Sequence, residues 1–108
     1  MDPNEVIKLD PHFYDRADEH INLSNDQLDK INPGKVSASM MYATARFNAY
    51  MSWIGFTNAE EMAEGREETV KYFVEQYQIM LEENLDDYIR NFDRYKQTTG
   101  GQNPDDLS

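Results

Sequence analysis

Arg46 is the side chain whose setting asks most of its surroundings. It is the single charged residue between Val36 and Ala59 of the 108-residue chain. A guanidinium in an otherwise apolar helix must be paired or reach water, because burying a lone charge is prohibitive. The pattern predicts an ion pair with a carboxylate of the first or third helix, fixing how the helices dock. The other chemistry open to it is to anchor an anionic ligand. Ser37, Ser39 and Asn48 share the helix and read as hydrogen-bonding groups for neighbouring helices or backbone.

The remaining candidates are weaker. His12 stands three residues before Asp15, and His20 follows Glu19; an isolated histidine and acid near a helix start read as capping or surface groups. Helical bundles build di-metal carboxylate sites from Glu-x-x-His pairs, and neither histidine has an acid three residues before it. Tyr72, Phe73, Tyr77, Tyr88, Phe92 and Tyr95 could suggest a platform for stacking bases, but that use needs accompanying positive charge, and acids surround them. No phosphate-binding loop, dinucleotide fingerprint, nucleophile elbow or zinc pattern occurs. The expectation is a protein with no catalytic residues, no metal and no cofactor.

The helices that position these residues can be read from periodicity. Residues 1–10 form an N-terminal arm in which Val6, Ile7 and Leu9 could pack on the body. Asp10 can serve as an N-cap with Pro11 at the first helical position, and Ala17, Ile21, Ser24, Leu28 and Ile31 then recur on one face. Asn32-Pro33-Gly34 ends this helix. Lys35 to Phe56 is apolar nearly all round, with small residues Ala43, Ala45 and Ala49; such a helix belongs in the middle of a bundle. Thr57 to Glu60 reads as a capping box opening a third helix that continues to about Lys96. Its stripe is Val70, Val74, Tyr77, Leu81, Leu85, Tyr88, Phe92 and Tyr95. Gly65 marks a kink, a break or a close packing point within it, glycine costing roughly 1 kcal/mol relative to alanine inside a helix. Residues 98–108, with Gly100-Gly101, form a polar tail.

Composition sets the outer bounds. There is no cysteine, so disulfides and thiolate chemistry are excluded and a reducing compartment fits best. The start Met1-Asp2-Pro3-Asn4-Glu5 has no basic region or apolar run of signal-peptide type, so cytoplasm is expected, with no membrane association. The net charge of −11 repels a phosphate backbone, so no nucleic-acid binding is expected.

The stretch Val36-Ser37-Ala38-Ser39-Met40-Met41-Tyr42-Ala43-Thr44-Ala45-Arg46-Phe47-Asn48-Ala49, preceded by Arg16-Ala17-Asp18-Glu19 and Leu23-Ser24-Asn25, resembles a family of short proteobacterial proteins, domain of unknown function 3144. The likeness covers roughly residues 13 to 95. It implies a compact helical domain from the bacterial cytosol and supplies no catalytic residues.

The expected fold is all-α over residues 11–97: a three-helix bundle, or four helices if the third breaks at Gly65, with a long C-terminal helix. The first functional expectation is a non-catalytic, homo-oligomeric interaction or scaffold domain. Two helices of ~20 residues span ~30 Å, and a continuous third helix overhangs them. That leaves Leu85, Tyr88, Ile89, Phe92 and Tyr95 for the interface of a homodimer. The alternatives are an acidic regulator, or nucleic-acid mimic, that binds a basic protein, and an enzyme or small-ligand binder using Arg46.

Overall fold

A computed structural model describes residues 10–99; the N-terminal arm and the Gly-Gly tail lie outside these residues. The described chain is helical, with no strand: α1 Phe13–Leu28, α2 Pro33–Ile54, α3 Ala59–Glu64, α4 Arg66–Arg90 and α5 Phe92–Thr99. The all-α expectation holds. The number of helices is higher than expected because the third helical pattern is interrupted twice.

Local hydrogen bonding accounts for each boundary. Asp10 closes a turn ahead of α1 and is not its N-cap: its carboxylate accepts from the His12 amide at 3.2 Å, its carbonyl from the Phe13 amide at 3.1 Å, and His12 takes the cap position. α1 stops at Leu28 instead of Ile31, and the amides of Lys30 and Ile31 both turn back to the Gln27 carbonyl. The Asn32-Pro33-Gly34 segment starts α2 as well as separating it from α1. Asn32 Oδ1 accepts from the Lys35 amide at 3.0 Å, and Pro33 occupies the first turn, where a missing N–H costs nothing. The capping box before α3 lies one residue later than expected. Asn58 is the cap, accepting from the Glu61 amide at 2.8 Å, and Glu61 reaches back to the Thr57 amide at 3.3 Å. Asparagine ranks above threonine as an N-cap, which favours this register.

Both interruptions are single residues. At Gly65 (φ −88°, ψ 0°) the backbone bonds continue, Gly65 N–H to Glu61 and Thr69 N–H to Gly65. The reason for glycine is space: a Cβ built there would lie 2.9 Å from Phe56 Cζ. The ring of Phe56 thus ties the turn after α2 to the junction of α3 and α4. Gly65→Val should displace that ring and cost about 1–3 kcal/mol, the usual range for overpacking, read as a lower denaturation midpoint in urea. At Asn91 the side chain competes with its own helix. Its Nδ2 donates to the Asp87 carbonyl at 3.1 Å and carboxylate at 2.9 Å, and the Tyr95 hydroxyl donates to the same carboxylate at 2.7 Å.

Packing is local. α1 folds back on α2 as a helical hairpin, α3 and α5 stay against α4, and α2 and α4 do not run along each other. Among the described residues Val36, 5% exposed, is the one buried apolar side chain. The radius of gyration is 16.5 Å, against ~13 Å for a compact domain of about 100 residues. The expectation that α2 is buried at the centre is therefore corrected: α1 packs on one side of it and most of its other side chains are exposed among the described residues.

Candidate functional site

Two exposed apolar surfaces, one on α2 and one on α4, dominate the protomer. On α2, Phe47, Tyr50 and Trp53 follow one another at helical spacing with ring centroids 6.2 Å apart at each step, the Tyr50 and Trp53 rings stacked at 25°. Helix geometry places residues three and four apart on one face, so Tyr42, Ala43, Arg46 and Ala49 join them, and Met62 of α3 closes one end. Together they line an open groove of about 930 Å³. A second hollow of about 380 Å³ continues past Trp53 and Met62 to Phe56 and Asn58. Tyr42 is 71% exposed, Phe47 61% and Trp53 62%. On the opposite side of α2, the half-buried positions Asn48 and Ser52 are polar, and the Ser52 hydroxyl donates to the Asn48 carbonyl at 2.9 Å.

α4 shows the same inversion. Its half-buried row is Thr69, Phe73, Gln76, Met80 and Asp87. The apolar row Val70, Val74, Tyr77, Leu81, Leu85 and Tyr88 lies one residue, about 100° of rotation, away, and it is exposed throughout. Periodicity thus identified the apolar face, while the chain's own contacts fall on the neighbouring, mixed one. Beyond the apolar row comes an acidic flank of Glu75, Glu82 and Asp86. Gln78 donates to Glu82 at 2.8 Å.

The individually predicted residues are distributed across this surface. Arg46 is exposed on the α2 groove. The ion pairs among the described residues join His12 to Asp15 and Arg16 to Asp10, so the expected pairing of Arg46 with an acid of another helix is not made within the protomer. Arg46 faces an open groove whose other lining side chains carry no acid. Leu85, Tyr88, Ile89 and Phe92 are exposed, Ile89 at 70%. Tyr95 is half-buried and committed to Asp87, with its ring 4.8 Å from that of Tyr88. The α2 row was not expected as an interaction surface, since its spacing reads equally well as core.

Charge chemistry concentrates at the start of α1. His12 Nδ1 lies 3.0 Å from Asp15, and the Arg16 guanidinium donates to Asp10. That bond holds the Asp10 carboxyl below its usual pKa and raises Arg16 above its own. Both pairs are exposed. No group of three or more His, Cys, Asp or Glu side chains among the described residues is arranged to hold a metal ion. No helix among them is long and apolar enough to cross a membrane.

Fold and surface define an all-α chain with apolar faces turned outward on two helices. Residues 13–89 match the family described as "Protein of unknown function (DUF3144)", and the chain belongs to that family. It is similar to the protein NB7890A from Shewanella sp, solved by NMR: 43% identity and a TM-score of 0.69 over 81% of this chain and 93% of that one. No curated protein matches the chain.

Proposed function

We propose that the protein is a self-associating interaction or scaffold module of the bacterial cytosol, whose core is completed by a second copy and which works by binding rather than catalysis. The observation that carries this reading is the outward placement of the α2 and α4 apolar rows. At roughly 150–250 Å² for an aromatic side chain, and less for an aliphatic one, each half-exposed row presents on the order of 500 Å² and the two together about 1,000 Å². The largest apolar patch on a typical monomer is about 300–600 Å², and larger ones mark interfaces. A standard interface removes about 800 Å² from each partner. A small chain gains most from such association because it buries a small fraction of its own surface.

Sedimentation velocity at micromolar concentration tests the proposal. The expected species has twice the protomer mass of 12.7 kDa. A monomer across the whole concentration range would remove it.

A further inference from the structure

We infer that α4 of a second copy seats its apolar row in the α2 groove, with its Glu75–Glu82–Asp86 flank facing Arg46. This rests on the self-association proposed above and adds which surface meets which.

Charge decides among the pairings. The α2 groove carries one charged group, the cation of Arg46. α4 carries seven acids against three bases, and three of those acids border its apolar row. Neither Arg46 nor Glu75, Glu82 or Asp86 has an ion-pair partner among the described residues. Pairing α2 with α2 would bring two copies of Arg46 together, and pairing α4 with α4 would bring two acidic flanks together. Juxtaposed like charges cost several kcal/mol at an interface. The crossed pairing brings unlike charges together and leaves neither row in water.

From Tyr42 to Trp53 the α2 row spans about 16 Å, the hollow past Trp53 extends that apolar surface to Phe56, and the α4 row from Val70 to Tyr88 spans about 27 Å. Under two-fold symmetry each copy gives its α4 and receives the other's, since the same surfaces are used on both subunits. Covering both rows on both copies removes on the order of 2,000 Å², at the lower edge of the range of obligate homodimers. Arg46, which reaches water in the single chain, loses that water when the groove is covered and gains a carboxylate in its place.

The test is complementation in trans. Arg46→Glu places an acid against the acidic flank, and Glu82→Lys/Asp86→Lys places cations against Arg46. Each variant alone should dissociate at least about tenfold more readily than wild type. Mixed in equal amounts, the two variants should form heterodimers of near wild-type affinity. In such a heterodimer one groove sets the introduced glutamate against the introduced lysines, and the other keeps Arg46 against the natural acids. Lys30→Glu, with the same change in net charge outside both rows, should leave association unchanged. Independently of any variant, isotope-filtered NMR on a mixed labelled sample should join the Trp53 ring of one copy to valine and leucine methyls of α4 in the other. A wild-type dimer with an indifferent Arg46→Glu variant, no recovery on mixing, or intermolecular signals joining α2 to α2 would overturn this pairing alone. A monomeric wild type would leave the groove to a different partner and overturn both readings.

Discussion

Raising the protein concentration a hundredfold, from about 1 to about 100 µM, should raise the thermal midpoint of the chain by roughly 6 °C. The argument starts from the lack of a private core: Val36 is the one buried apolar residue described, and the hairpin and α4 do not pack along each other. On the proposed self-association, the chain draws its stability from a second copy, so unfolding and dissociation form one transition. Mass action then contributes about 2.7 kcal/mol per hundredfold in concentration. For an unfolding enthalpy of roughly 0.7 kcal/mol per residue over two chains, this converts to the stated shift. Far-ultraviolet circular dichroism at several concentrations reads it directly. A midpoint constant within a degree would show that the chain holds its fold alone.

The second large effect is expected from Leu85→Asp/Phe92→Asp. Leu85 is 51% exposed and Phe92, at the start of α5, is 57% exposed, so about half of each side chain is left for a partner to cover. In a dimer with α4 and the start of α5 covered, each loses about 0.7–1.5 kcal/mol of apolar transfer, half the value for full burial, and places a carboxylate in a dry surface. Two-fold symmetry doubles the loss, to at least ~3 kcal/mol per dimer and a dissociation constant raised by at least ~100-fold. Sedimentation at the same concentrations should show the variant dissociated. Glu83→Ala, on the opposite side of α4, should sediment as wild type. An unchanged dimer in the double variant would place the interface elsewhere.

Much of the helical framework was legible because local chemistry determines it. Asn32 and Pro33 open α2, Gly65 interrupts the third helical pattern, and an Asn58–Glu61 box opens α3; each depends on residues within one turn of it. The capping register slipped by one because Thr57 and Asn58 are both good caps, and ranking them needs the geometry of the turn. What periodicity could not supply is ownership of a face. The row from Val70 to Tyr88 is the apolar side of α4 whether it meets its own chain or another, and only the position of Phe73, Gln76 and Met80 against the protomer distinguishes the two. The same ambiguity governed Arg46. Its isolation among apolar residues called for a partner or for water, and nothing local specifies which.

The Phe56–Gly65 contact has a mechanical consequence. Because α2 and α4 do not run along each other, the direction in which α4 leaves the hairpin is set at this elbow by a ring filling the space of a missing methyl group. α4 is 25 residues long, a lever of about 37 Å, so a rotation of roughly 10° at Gly65 sweeps its far end by about 6 Å, more than one helical turn. A substitution at either residue would therefore re-aim the whole arm while leaving every side chain on its apolar row intact, and would change the geometry of any assembly it joins through two positions outside both apolar rows.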